Sequence, residues 1–254
     1  MNNFSDNQKS PIITFNHVGM TFGQTEVHKD ISFSVNKGEA VTLLGPSGAG
    51  KTVILRLVIG LLFATKGDVN VLGYDLNSAS DEELVELRRR VGILFQGAAL
   101  FDSLSVYDNV AYPLRERGEK NESKITKIVK ERLEVVDLPE TINKFPPQLS
   151  GGQKKRIGLA RALASSPEIM LFDEPTTGLD PTAVRLIDDL AIRLRKELGM
   201  TSLIVTHDIM SAQRISTRWM LLRQGVIVAD GEPASLSEQN QEVKAFISGF
   251  ADYE

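Results

Sequence analysis

The chain has 254 residues, 42% hydrophobic and 24% charged, an ordinary globular composition with enough apolar material for one large domain or a domain with an insert. Its net charge of -4 argues against a nucleic-acid-binding face. The absence of cysteine excludes a disulfide framework or cysteine metal site and fits a reducing compartment.

In chain order, residues 1–10 are polar, read as a frayed end, and lack the apolar core of a signal peptide. Residues 12–15 and 31–35 read as strands. In the second, Ile31, Phe33 and Val35 alternate with Ser32 and Ser34, the period-two pattern of a half-buried strand. A Lys37-Gly38 turn leads into Ala40–Leu44, apolar apart from Thr42 and of the buried parallel kind. An apolar helix is expected from about Lys51. The apolar stretch 53–64 is broken by Arg56 and Gly60 and falls short of the ~20 residues of a membrane span, so the chain is expected to remain on the cytosolic side.

Residues 69–72 and 92–95 read as further strands. Between them Asp81–Arg90 opens with acids and closes with Arg88, Arg89 and Arg90, the order favoured by the helix dipole. Residues 97–149 carry helical pattern but no good strand, notably Ile125, Ile128, Val129, Leu133 and Val136 within 120–136, and read as a helical insert. A helical run over 154–164, a strand at 169–172, a helix over 182–198 and strands at 202–206 and 226–229 complete the pattern. Strands alternating with helices imply an α/β fold with a parallel sheet. No internal repeat or low-complexity linker interrupts it.

Three motifs carry chemistry. Gly45, Pro46, Ser47, Gly48, Ala49, Gly50, Lys51 and Thr52 match G-x-x-x-x-G-K-[ST], between a buried strand and an apolar helix. Its glycines let successive N–H groups turn into one concavity for phosphates, to which the helix adds its positive end. Lys51 supplies a compact cation for the β- and γ-phosphates, and the Thr52 hydroxyl a ligand for Mg²⁺. Next, the apolar strand 169–172 delivers Asp173 and Glu174 at its C-terminal end, where open α/β sheets bind ligands. Adjacent acids can divide the work, Asp173 holding Mg²⁺ through its water shell and Glu174 polarising the attacking water. Alone the pair would read as a solvated turn; the upstream phosphate loop reverses that reading. Third, Leu149, Ser150, Gly151, Gly152 and Gln153 open a helix, either as a second anion-binding end or as a plain N-cap.

Leu149–Gln153 resembles the signature of ABC ATPases, and the family's other elements follow in order. Gln96 stands where the family's Q-loop glutamine follows a strand. Gly178, Leu179 and Asp180 resemble its D-loop, His207 its switch histidine and Phe22 the aromatic residue that stacks on adenine. Singly, Gln96, His207 and Phe22 would read as a surface amide, a structural histidine and a core residue; their order relative to the phosphate loop promotes them. The resemblance covers residues 12–250, nearly the whole chain.

It implies a P-loop ATPase core with a mainly parallel sheet, an N-terminal antiparallel β subdomain and a helical insert. The expected division is a core of 11–95 and 160–240, a helical subdomain of 96–159 with the signature, and a tail of 241–254. It further implies ATP and Mg²⁺ as cofactors, with Thr52, Gln96 and Asp173 around the metal and Glu174, His207 and Gln96 in catalysis. Two copies would pair head to tail, each ATP lying between one phosphate loop and the partner's Ser150–Gln153. Integral membrane permease subunits would dock on the insert, leaving the chain peripheral on the cytoplasmic face of a bacterial inner membrane. A single set of motifs and no sustained heptad pattern favour transport over a mechanical or translation-linked ATPase, and the signature disfavours a kinase or GTPase.

Residues 94–116 closely resemble the ATPases of Mla/Mce-type phospholipid transport systems, and residues 243–250 are similar to theirs. Phospholipid is therefore the expected cargo, with Mce-domain and STAS-domain subunits as further partners; the alternative is an amino-acid, metal or drug transporter. Gln153 departs from that subfamily, which often carries Met there.

Overall fold

The computed structural model describes residues 11–249. The N-terminal alternation builds two antiparallel strands, β1 (Pro11–Phe22) and β2 (Thr25–Asn36). Both outrun the short segments read from sequence because bulges break the alternation without ending the pairing. β3 (Ala40–Leu44) is buried throughout and leads through the phosphate loop into α1 (Lys51–Val58). β4 (Lys66–Val71) and β5 (Tyr74–Asp75) return to β1 as an antiparallel wing. α2 (Asp81–Arg90) starts on a Ser80–Glu83 capping box and ends on three arginines, as its charge order indicates. β6 (Val91–Leu94) follows.

The insert consists of α3 (Val106–Glu116), α4 (Glu122–Val135) and two 3-10 turns, and leads into α5 (Gly151–Ala164), which starts three residues before the helical run read from sequence. The rest comprises β7 (Ile169–Asp173), α6 (Pro181–Leu198), β8 (Thr201–Thr206), α7 (Ile209–Ile215), β9 (Arg218–Arg223), β10 (Val226–Gly231), α8 (Pro233–Gln239) and α9 (Gln241–Ser248).

The described strands form one sheet in the order β5-β4-β1-β2-β10-β9-β3-β8-β7-β6. The β9-β3-β8-β7-β6 portion is parallel, the β5-β4-β1-β2 portion antiparallel, and β10 joins them, parallel to β2 and antiparallel to β9. Successive residues serve opposite faces: Ile169 and Leu171 pack with α1 and α2, whereas Met170 and Phe172 pack toward α3, α4 and α5. Full burial of side chains of this size contributes about 1.5–3 kcal/mol each. The helical insert shares its core with the sheet, and α5 runs unbroken through residue 160, so the two parts are joined by a continuous helix. Residues 1–10 and 250–254, including Phe250 and the end of the expected tail, lie outside the described residues.

Candidate active site

The turn from β3 to α1 is held by close packing. Gly50 has φ 93°, and a Cβ there would stand 2.6 Å from His28 Nε2 and 2.7 Å from Val27 Cγ1, so only glycine fits. α1 begins without a side-chain cap and without an acid in its first turn, leaving an end suited to an external anion. Lys51 is only 6% exposed, and its Nζ donates to the carbonyls of Gly45 (2.8 Å) and Pro46 (3.0 Å) and stands 3.5 Å from Glu174 Oε1. Burial pulls its ammonium below the ordinary lysine value against the opposing charge of Glu174. Thr52 Oγ1 donates to Asp173 Oδ1 at 2.9 Å.

A cleft of about 440 Å³ opens here, lined by Val27, Ser47, Gly48, Gly50, Lys51, Thr52, Val53, Gln96, Glu174 and His207. The parallel strands deliver these groups together: β3, β7 and β8 lie side by side, and Asp173, Glu174 and His207 stand at the same end of the sheet as the phosphate loop. Glu174 Oε2 accepts from three donors, His207 Nδ1 (2.9 Å), Thr206 Oγ1 (3.1 Å) and Thr177 Oγ1 (3.2 Å). Burial pushes the Glu174 carboxyl up, but the His207 hydrogen bond and the Lys51 charge outweigh it and hold the group below the ordinary glutamate value. Asp173 is shifted the other way, raised by burial against the hydrogen bond from Thr52. The neighbouring acids thus differ, Glu174 as a charge-stabilised carboxylate and Asp173 as one hydrogen-bonded by the neutral Thr52 hydroxyl.

No cluster of three or more His, Cys, Asp or Glu among the described residues could hold a metal by itself. Thr52 is hydrogen-bonded to Asp173, and Gln96 lines the same cleft as Thr52; the chemistry of these few oxygen donors suits Mg²⁺ that keeps water and phosphate oxygens as its other ligands.

Other expected site residues lie apart from this cleft. Ser150 caps α5, accepting from Gln153 N–H while the Gln153 side chain accepts from Ser150 N–H. Gly152 packs against the start of α6, where a Cβ would meet Ala183 Cβ at 2.9 Å, and Asp180 caps that helix through Thr182 and Ala183 N–H. Neither Ser150–Gln153 nor Asp180 lines the cleft. Phe22 ends β1, 44% exposed, and is also outside the cleft lining. Sequence reasoning missed Val27 in the wall, Thr177 and Thr206 on Glu174, and His28 and Lys155 behind the site. The Thr-His pair at the end of β8 offered a signal for Thr206; the others depend on tertiary packing.

A second groove, about 560 Å³, runs between α2, β6 and α3, with Phe95, Phe101 and Tyr112 exposed along it and Arg88, Arg89, Arg117 and Arg161 around it. The Arg161 guanidinium donates to the Ala98 and Ala99 carbonyls and lies over the Phe101 ring at 5.8 Å, fixing the loop that presents Phe101.

A family profile described as "ABC transporter" matches residues 28–177. The "Probable ribonucleotide transport ATP-binding protein mkl" of Mycobacterium tuberculosis is 40% identical over 238 residues, covering 93% of this chain and 66% of that protein. The "Intermembrane phospholipid transport system ATP-binding protein MlaF" of Haemophilus influenzae is 37% identical, covering 91% of this chain and 88% of that one. Among solved structures, the dimeric post-hydrolysis state of the ATP-binding cassette MJ0796 bound to ADP and Pi is similar with a TM-score of 0.79 at 33% identity, covering 87% of this chain and 98% of that one.

Proposed function

The chain belongs to the ABC transporter family as an ATP-binding and ATP-hydrolysing domain, and from that premise we propose that two copies pair head to tail around ATP and thereby drive a membrane permease. The observation that carries this reading is the separation of two anion-suited helix ends within one chain. Ser47, Gly48 and residues 50–53 line the cleft, whereas Ser150–Gln153 cap a different helix outside it. A second copy would bring its Ser150–Gln153 end to the phosphates held by the first, so nucleotide binds the paired state better than the open one.

Within the site, Lys51 would exchange the Gly45 and Pro46 carbonyls for the β- and γ-phosphates, a charge-assisted gain. That exchange frees Glu174 Oε1 from Lys51 while His207, Thr206 and Thr177 steady Oε2. The ionised carboxylate then accepts a hydrogen bond from the attacking water as its oxygen bonds to the γ-phosphorus and the bond to the ADP oxygen breaks. Mg²⁺ held by Thr52, Asp173 and Gln96 would neutralise phosphate charge. Glu174→Gln keeps the shape but loses the proton acceptor. We expect kcat to fall at least ~100-fold with ATP affinity by calorimetry unchanged; normal turnover would remove Glu174 from this role.

The permease reading draws on the second groove. Gln96, in the cleft wall, directly follows Phe95, in the groove wall, so a segment docked in the groove acts on the nucleotide site through the end of β6. No helix among the described residues is long and apolar enough to cross a membrane, so a permease would hold the chain peripherally, on the cytoplasmic face of an inner membrane. For cargo we favour phospholipid, with Mce-domain and STAS-domain subunits as partners, on the resemblance of residues 94–116 and on the phospholipid-transport relative matched over 88% of its length. The mycobacterial relative, named for ribonucleotide transport, supplies the rival cargo, although this chain spans only 66% of it. With the permease bound in detergent, added phospholipid is expected to raise ATPase activity severalfold and ribonucleotides other than ATP to leave it unchanged. The reverse response would reassign the cargo.

A further inference from the structure

Lys155 lies in the second turn of α5, just past the Ser150–Gln153 end. It sits in the basic run Lys154-Lys155-Arg156, yet it is only 4% exposed. Its Nζ donates to the backbone carbonyl of Glu174 at 3.0 Å. Burial pushes the ammonium down to about 8, against the opposing pull of the Glu174 and Asp173 charges. A buried cation is costly to fold around, and an apolar side chain of similar length would fill the same space.

The residue it grips has an unusual backbone. Glu174 has φ 47°, a left-handed conformation that a side-chain-bearing residue keeps only when its surroundings impose it. Its N–H is fixed by the Val205 carbonyl at 2.9 Å, in β8. Its carbonyl accepts weakly from Thr177 N–H at 3.4 Å and more closely from Lys155. The closer hold on this strained peptide therefore comes from a different helix, the one that opens with Ser150.

We propose that Lys155 is a positioning residue, which fixes the Glu174 peptide so that its carboxylate is aimed at the attacking water and couples that aim to the helix whose N-terminal end meets the partner's nucleotide. The inference rests on Glu174 being the water-orienting carboxylate. A displacement of α5 on pairing shifts Nζ, and the Glu174 carbonyl follows. In this arrangement the engagement of Ser150–Gln153 with one nucleotide is felt at the carboxylate serving the other.

The test is a double-mutant cycle in ATP hydrolysis, using Lys155→Met, Glu174→Gln, the double variant and Lys155→Arg. Lys155→Met keeps length and removes the donor; its kcat is expected to fall about 10-fold with Kd for ATP and Tm near wild type, since small misplacements of a reacting group cost rate rather than binding. On the Glu174→Gln background the same change is expected to cost nothing further, because the group being aimed is gone. Lys155→Arg retains a donor and is expected to recover at least about half of kcat. Wild-type kcat in Lys155→Met, or full additivity in the double variant, overturns the proposal while leaving the role of Glu174 intact. Normal turnover in Glu174→Gln overturns that role itself and the positioning inference with it. If Lys155→Met does not fold, Lys155→Leu, a helix former that also lacks a donor, takes its place in the cycle under the same criteria.

Discussion

His28 is fully buried against the phosphate loop, and its two ring nitrogens meet different fates. Nε2 lies 3.2 Å from the Gly50 carbonyl, which can only accept, so Nε2 carries the proton and Nδ1 presents a lone pair. That lone pair has no partner among the described residues. Burial pushes the imidazole below its ordinary value of 6.5, offset only in part by the bond to Gly50. The sign of the linkage follows: the unfolded chain takes up a proton near 6.5 while the folded chain resists it. The contribution of His28 to stability is complete above that pH and is lost as pH falls from there through the lower folded value. Below pH ~6.5 the wild type should lose up to about 1.4 kcal/mol per pH unit more than His28→Leu, the limit for a single proton. Thermal melts between pH 7.5 and 5 test this, and parallel curves for the two proteins would refute it.

The elements most legible in the sequence are those whose local signals agree with their tertiary role. Ala40–Leu44 is buried on both faces and mostly apolar on both, and the segment 80–90 carries its cap, dipole charges and apolar stripe within its own residues. What stayed hidden was set by partners distant in sequence. From Val18↔Ile31 to Met20↔His28, β1 advances two residues and β2 three, so a bulge turns His28 inward against the alternation visible at Ile31, Phe33 and Val35. β9 was not read because its apolar centre, Trp219 to Leu222, is brief and bounded by Arg218 and Arg223, yet it pairs in parallel with β3 along the middle of the sheet. Lys155 was hidden by composition, since a run of three basic residues reads as a solvated face and gives no sign that one turns into the core. The constellation around the cleft was largely legible, because phosphate binding demands residue types at fixed spacing; the threonines steadying Glu174 were not, because a hydroxyl contact from the neighbouring strand (Thr206) and one across a turn (Thr177) leave no periodic trace.

At the scale of the whole molecule, a site divided between two copies has a consequence that a self-contained site lacks. Lys51→Ala damages the phosphate loop, and Gly151→Asp sets a negative charge at the end that the proposed pairing brings to the partner's phosphates. The second change is mild for the fold: Gly151 has ordinary backbone geometry, a Cβ there meets Leu179 only at 3.6 Å, and an acid in the first turn of α5 suits the helix dipole. Each variant alone is damaged in both sites of its own dimer. In a head-to-tail mixed pair, both lesions fall in one site and the other consists of an intact phosphate loop facing an intact Ser150–Gln153. Random pairing of equal amounts makes half the dimers mixed, each with one intact site, so the mixture should recover about a quarter of the wild-type ATPase rate. A side-by-side pair with self-contained sites would give only the mean of the two crippled proteins, because no exchange could then assemble an undamaged site. Hydrolysis measured across mixing ratios separates the cases, since the shared-site arrangement predicts a maximum at equal proportions and the self-contained one a straight line between the two variants.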